Sequence, residues 1–339
     1  MIGSWRDTLN IASKTSWRRL KNAADIYSSY HLSRLRRHAQ IKGMPISVSI
    51  EPTTSCNLRC PECPSGLRSF TRPTGMLDEV LFRSIIDQMS TSVSYLTFYF
   101  QGEPFLHPQF LRMVQYASEK KIYTATSTNA HFLKDEVAKA AVSSGLDRLI
   151  ISIDGTSQDT YQSYRVGGSL EKVLEGTKNI VRWKKELKSL TPHIVFQFLV
   201  VKPNEHQISD VYKIANELGV DQVVLKTAQI YDYENGSPLI PTQEKYSRYK
   251  KNGNTYSIKN SLDNECWKMW HSCVITWDGK VVPCCFDKDA SHVLGDLKQN
   301  SFEEIWFGQK YNRFRQSLLK SRQEIEMCKN CTEGAKVWA

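Results

Sequence analysis

Three cysteines in one short run carry the clearest chemistry of this chain: Ser55-Cys56-Asn57-Leu58-Arg59-Cys60-Pro61-Glu62-Cys63-Pro64. The spacing Cys-x3-Cys-x2-Cys sets three thiols on one loop, directly after an apolar, strand-like segment. Three thiolates suit an iron–sulfur cluster with one iron left free, and a free iron can hold a small molecule. That favours an enzyme over a non-catalytic electron-transfer protein, which gains nothing from an open iron. Zinc is the competing metal, but a structural zinc wants four protein ligands, and the fourth would have to come from elsewhere. Six more cysteines, Cys266, Cys273, Cys284, Cys285, Cys328 and Cys331, form a separate C-terminal group. A cluster with no open position needs four of them.

Such a loop needs a rigid scaffold. Ile46–Glu51 alternates as a strand just ahead of the cysteines. Further strands are predicted at Tyr95–Phe100, Lys121–Thr126, Leu149–Ile153, Ile194–Val201 and Gln222–Lys226. Helical periodicity follows each of the first five, at Met76–Met89, Phe110–Ala117, Val137–Ala141, Leu170–Leu187 and Ile208–Leu218. Parallel strands joined by helical crossovers are the economical reading. Six units make an α/β fold, a partial (β/α)6 TIM-like barrel, with functional groups at the C-terminal ends of its strands. The chain then divides into a basic helical extension (1–42), the barrel (43–230), a linker or bridging region without periodicity (231–263) and a small cysteine-rich α+β cluster-binding domain (264–339). The centre of the last is a hairpin, Val274–Trp277 and Lys280–Val282 around Asp278-Gly279. A helix over Phe302–Leu319 leads from it to Cys328-x2-Cys331.

Composition narrows the classes. Lys and Arg number 45 against 35 Asp and Glu, a net charge of +10. Nine of the basic residues fall in Met1–Lys42 against Asp7 and Asp25 alone, so the body is nearly neutral and no nucleic-acid partner is expected. No run of eighteen apolar residues and no secretory signal is visible. Nine cysteines in two groups predict metal sites in a reducing compartment, the cytoplasm. In the extension, Trp5, Leu9 and Ala12, then Trp17, Leu20, Ala24 and Tyr27, recur at helical spacing beside Arg18, Arg19 and Lys21. One reading packs these helices across the open end of the barrel. Others set them against an anionic membrane at its inner face, or against an acidic partner or second copy.

The cysteine loop resembles the signature of the radical S-adenosylmethionine enzymes, with Glu62 where many members carry an aromatic residue. Gln101-Gly102-Glu103-Pro104 resembles that family's Gly-Gly-Glu-Pro, with Gln101 in place of the first glycine. Thr128 and Asn129, Ser152 with Asp154, Arg165 and Val201 fall at positions similar to its cofactor-facing strand ends. The resemblance implies that Cys56, Cys60 and Cys63 hold a 4Fe–4S cluster whose fourth iron chelates S-adenosyl-L-methionine. It implies that Gln101, Gly102, Glu103 and Pro104 receive the methionine ammonium, and Arg165 its carboxylate. The C-terminal segment resembles the SPASM/twitch auxiliary-cluster domain, implying one further 4Fe–4S cluster on Cys266, Cys284, Cys328 and Cys331. Cys273 is an alternative ligand, and Cys273 or Cys285 a candidate hydrogen donor. The activity implied is reductive cleavage of the cofactor to a 5′-deoxyadenosyl radical that abstracts a substrate hydrogen. Oxidation or crosslinking of a peptide is the leading outcome. Dehydrogenation of a carbohydrate or other small alcohol, lipid-precursor modification and peptide epimerisation are the alternatives. The implied electron donor is a flavodoxin or ferredoxin-like protein.

Overall fold

The computed structural model describes residues 2–331, with side chains from Trp5 onward. The last eight positions of the expected 264–339 domain lie outside the described residues. Strands β1 (Ser47–Ile50), β2 (Tyr95–Thr97), β3 (Tyr123–Thr128), β4 (Arg148–Ser152), β5 (His193–Val200) and β6 (Gln222–Thr227) pair in chain order, all parallel. Each predicted crossover helix is present, and this is the partial barrel that the sequence implies. Burial explains the periodicity: Phe82, Ile85, Ile86 and Met89 turn one face of the first crossover, Glu79–Met89, into the core. Its N-terminus is fixed by Asp78, which accepts from Leu81 N–H.

The C-terminal hairpin does not stand apart. After β7 (Tyr249–Asn252) and β8 (Thr255–Ile258), strand β9 (Ser272–Ile275) pairs in parallel with β1, Ser47 opposite Ser272 and Ile50 opposite Ile275. Strands β10 (Lys280–Val282) and β11 (Gly295–Asp296) continue outward. One nine-stranded sheet results, in the order β11-β10-β9-β1-β2-β3-β4-β5-β6. The cysteine-rich segment thus extends the barrel sheet past its first strand, beside the cysteine loop. The expected helix over Phe302–Leu319 is two helices, Phe302–Phe307 and Gln309–Ser321. Gly308 breaks it with extended backbone (ψ 157°).

The region 231–263 contains the β7–β8 hairpin, turned at Gly253-Asn254 with Gly253 at φ +60°. Glycine at the first position of a two-residue loop is a hairpin signal. The Tyr249 hydroxyl accepts from Ile230 N–H (2.8 Å) and lies 2.9 Å from Asn330 Oδ1. Asn260 Nδ2 donates to the carbonyl of Cys331 (2.9 Å). The region therefore ties the end of β6 to the last cysteine pair.

Helices Ile2–Ser13 and Trp17–Arg36 form the extension. They cover the N-terminal end of the barrel, the second burying Ile26 and Tyr30 in the core, but many of their contacts are polar. Asp7 bonds Tyr123 and Arg148, and Asn10 and Lys14 bond Asp147 at 2.8 and 2.6 Å. Buried Arg19 donates to the carbonyls of Lys14, Ser90, Lys120 and Lys121. The second helix reaches the C-terminal segment, where Tyr30 meets Trp267 and Trp270 edge-on. The apolar stripe of the sequence faces outward: Trp5, Leu9, Trp17, Leu20 and Tyr27 are all more than half exposed.

Candidate active site

The cysteine loop leaves β1 and is held by two close backbone approaches. Gly102, at φ +76°, lies so near Thr53 that a Cβ would sit 2.2 Å from its carbonyl oxygen. Glu103 N–H donates to the Ser55 carbonyl (2.8 Å). Gly66, in the helical turn Pro64–Leu67, presses on the backbone of Cys60, where a Cβ would come within 2.6 Å of the amide nitrogen. Only glycine allows both contacts. Ser65 links the two segments: its hydroxyl accepts from Gly102 N–H (2.9 Å) and donates to Gln101 Oε1 (3.4 Å).

Cys56, Cys60 and Cys63 line one cavity of about 190 Å³ at the C-terminal ends of the strands. Gln101, Gly102, Glu103, Thr128, Asn129, Ser152 and Arg165 line it with them. Pro104, Asp154 and Val201 do not reach its wall. Pro104 opens a 3₁₀ turn, and Val201 packs in a cluster with Leu58, Cys60 and Tyr164. Asp154 takes Arg165 Nε on one oxygen (2.5 Å) and Leu199 N–H on the other (2.7 Å). It therefore orients Arg165, whose Nη1 stands 3.8 Å from Cys60 Sγ.

Glu103 is 2 % exposed. Its carboxylate accepts from Thr128 Oγ1 (2.7 Å), Asn129 N–H (2.8 Å) and Phe105 N–H (3.2 Å), with no ion pair among the described residues. Burial raises its pKa to about 7, against those three hydrogen bonds. Burial likewise pushes the Cys56 thiol up to about 12 and the Cys60 thiol upward.

In the second group, Arg322 joins Cys331 to the residue before Cys266, donating Nη1 to the Glu265 carbonyl (2.9 Å). Arg322 Nη2 lies 3.3 Å from Cys331 Sγ. Cys266, Cys331 and Cys328 all help to hold the Arg322 guanidinium charged against its burial. Burial, partly offset by Arg322, raises Cys328 to about 11. Cys284 is hydrogen-bonded to Cys285, which with burial raises it strongly. Cys273 lies on β9 opposite Val48, 2 % exposed in the main core, and does not line the cavity. Cys285 is half-buried, and it and Cys63 both favour the charge of Lys288.

Residues 50–213 match the family model of the radical SAM superfamily, and residues 266–332 match that of the SPASM iron–sulfur cluster-binding domain. The chain belongs to the radical SAM superfamily. It is therefore a radical SAM enzyme whose cofactors are iron–sulfur clusters and S-adenosyl-L-methionine. It is 26 % identical to the tungsten-containing aldehyde ferredoxin oxidoreductase cofactor-modifying protein of Pyrococcus furiosus, over 84 % of this chain and 86 % of that one. It is 22 % identical to the PqqA peptide cyclase of Gluconobacter oxydans, over 87 % and 84 %. Among solved structures, Streptococcus suis SuiB bound to S-adenosylmethionine superposes with a TM-score of 0.64 at 15 % identity, over 84 % of this chain and 71 % of that one.

The residues present fit a radical SAM cofactor pair. Thiols at this depth ionise against a compensating cation, which iron supplies, and a desolvated carboxylate without an ion pair suits an ammonium. Among the described residues no three Cys, His, Asp or Glu side chains stand at coordination distance of a common point. Holding a cluster asks the thiols to turn toward the cavity they already line. No helix among the described residues is long and apolar enough to cross a membrane.

Several residues at this site escaped the sequence reading. Glu51, at the end of β1, accepts both terminal nitrogens of Arg72 (2.8 and 2.6 Å) and the N–H of Trp277 (3.2 Å). It joins the cysteine loop to the C-terminal hairpin. Arg322, Arg248 and Lys288 are likewise new. A lone surface-type residue in a loop gives no periodic or motif signal, so nothing in the sequence marks these.

Proposed function

We propose that this protein is a maturase that oxidises or crosslinks a peptide after hydrogen-atom abstraction. The observation that carries the reading is that the loop bearing Cys285 and Lys288 touches the cysteine-loop side of the barrel: Arg72 Nε donates to the Lys288 carbonyl (3.2 Å), and Lys288 Nζ donates to the hydroxyl of Tyr231 (2.9 Å), whose N–H donates to Glu62 (2.9 Å). The two cysteine groups therefore approach one another across the barrel mouth. Two relatives of similar organisation support a peptide substrate: the PqqA peptide cyclase by its name, and SuiB by its structure bound to the precursor peptide SuiA.

When bound, the groups supply a 5′-deoxyadenosyl radical at the barrel mouth and an acceptor for a second electron in the C-terminal module. Cys56, Cys60 and Cys63 would hold the first cluster, and Cys266, Cys284, Cys328 and Cys331 the second. Glu103 Oε1 and Oε2 receive the cofactor ammonium, with Thr128 Oγ1 and Asn129 N–H fixing the carboxylate. Arg165, aimed by Asp154, faces the cofactor carboxylate with a planar fork suited to two oxygens. Should the outcome be epimerisation, Cys285, half-buried where Cys273 is fully buried, is the thiol that would return a hydrogen.

The electron donor is a flavodoxin or ferredoxin-like protein. The setting is cytoplasmic, with the extension resting on an anionic membrane. Its exposed Trp5, Trp17 and Leu20 beside Arg6, Arg18 and Lys21 support that contact. Sedimentation with phosphatidylglycerol vesicles but not phosphatidylcholine vesicles, lost in Trp17→Ser/Leu20→Ser, is the expected result. Binding to neither vesicle removes the membrane from the reading.

The central test is anaerobic. The reconstituted protein, dithionite and S-adenosylmethionine should yield 5′-deoxyadenosine, and a peptide library should contain a product lighter by two hydrogens. No 5′-deoxyadenosine with both clusters intact refutes the chemistry. Turnover of a small alcohol and of no peptide refutes the maturase reading alone.

A further inference from the structure

Two cations stand at the C-terminal end of β6 with no carboxylate at ion-pair distance among the described residues, although Glu62 is near enough to favour the charge on Lys288. Arg248, just before β7, donates its Nε to the carbonyl and hydroxyl of Thr227 at the end of β6 (3.0 and 2.9 Å). Its Nη1 is buried with no hydrogen-bond partner. Lys288, in the loop after β10, donates to the Tyr231 hydroxyl (2.9 Å), and its Nζ lies over that ring at 4.8 Å from the centroid. Tyr231 is anchored in turn by Glu62 of the cysteine loop, which accepts from its N–H (2.9 Å). Burial lowers both cations from their ordinary pKa values, and Arg248 adds to the lowering of Lys288, so the two groups repel.

Their neighbours locate them. Arg248 is held at the end of β6 by Thr227, and the next residue, Tyr249, ties that segment to Ile230 and to Asn330, which directly precedes Cys331. Lys288 follows Cys285 by three residues and is joined through Tyr231 to Glu62, which directly precedes Cys63 of the cavity wall. Both therefore face the interval between the two cysteine groups, from elements outside the six barrel units. Each cysteine group already has its own arginine: Arg165 beside Cys60 and Arg322 beside Cys331. Holding two further cations close together and desolvated is unfavourable unless an anion joins them.

We propose that Arg248 and Lys288 form a clamp for an anionic group of the substrate. On the maturase reading, on which this rests, that group is the carboxylate of an acidic side chain or C-terminus of the peptide. Arg248 supplies a planar donor pair and Lys288 a point charge. The clamp sets the distance of the reacting carbon from the cavity, so it selects the residue that reacts.

The test uses the anaerobically reconstituted protein with S-adenosylmethionine bound, and three probes: acetyl-glutamate methylamide, its glutamine counterpart and inorganic phosphate. Calorimetry should show the glutamate probe binding at least about tenfold more tightly than the glutamine probe. Arg248→Gln and Lys288→Met should each reduce that preference, and the double variant should abolish it. S-adenosylmethionine affinity and the absorbance of both clusters report that the variants are folded and loaded. Equal binding of the two amino-acid probes with phosphate not bound either, or a preference that survives in the double variant, overturns the clamp. So does a shifted reduction potential of the second cluster with the preference intact, which would make the pair its counter-charge. Phosphate binding that needs both residues, with no preference for glutamate, upholds the clamp and tells against the peptide.

Discussion

The buried carboxylate of Glu103 makes cofactor binding depend on pH in a way that can be worked out beforehand. With a pKa of about 7 it is half protonated at neutral pH, and only the ionised form attracts an ammonium. Apparent affinity follows the competent fraction. Between pH 6.5 and 5.5 that fraction falls about eightfold, and affinity should fall with it. The cofactor amine titrates near about 7.8, so the full profile is a bell whose alkaline limb belongs to the ligand. Glu103→Gln should remove the acid limb, keep the alkaline one, and weaken binding at the optimum by about 10–100-fold, as expected for losing a charge-assisted hydrogen bond. Equilibrium dialysis of radiolabelled S-adenosylmethionine on the reconstituted protein measures this, with cluster absorbance as the integrity control. Flat affinity below pH 7 in the unaltered protein, or the same acid limb in Glu103→Gln, would refute the assignment. In the cofactor-free protein the sign reverses. The folded state keeps this proton longer than the unfolded one, whose carboxyl sits near the ordinary 4.5. Glu103 therefore removes stability as pH rises from 4.5 through 7, by about 3 kcal/mol in all.

Arg72→Met strands the fully buried Glu51 carboxylate and should cost about 3–5 kcal/mol in urea unfolding, part of it recovered in Glu51→Gln/Arg72→Met. A loss below about 1 kcal/mol would mean that the pair is dispensable. Cys284→Ser should remove about four irons while Cys285→Ser keeps them; the reverse pattern would exchange the two roles. Arg19→Met removes the donor to four carbonyls and should expose the extension to limited proteolysis while leaving the iron content unchanged. Unchanged proteolysis would show that Asp7 and Lys14 suffice to hold it.

The barrel was legible because its strands and crossover helices have strong periods, and the cysteine loop because its spacing is local. Seven of the ten residues expected at the cofactor do line the cavity: six lie at or just after strand ends, and Arg165, at the end of the helix Gln158–Tyr164, is brought in by Asp154. Long-range pairings were not legible. Nothing in Ser272–Ile275 says that it will lie beside β1 in parallel, a choice made by the chain's return path. The stripe of Trp5, Leu9, Trp17 and Leu20 invited burial by its spacing. The structure buries Asp7 and Arg19 instead, because unpaired groups at the barrel end, the Tyr123 hydroxyl and the Lys120 and Lys121 carbonyls, need partners more than the core needs area. The β7–β8 hairpin had a local signal, Gly253-Asn254, masked by flanks of Lys, Tyr and Ser that carry no apolar face.

The pairing of β1 with β9 also sets a timetable. During synthesis the strand that bears the cysteine loop has a partner on one side as soon as β2 emerges. Its other edge stays open until residue 275, roughly 220 residues later. At about 5–20 residues per second, that is about 10–40 s in which an unpaired strand edge sits beside three reduced thiols. The nascent chain is therefore most vulnerable to misassociation and to oxidation at the very segment that will start the chemistry, and cluster delivery after β9 docks meets a loop that has stopped changing shape.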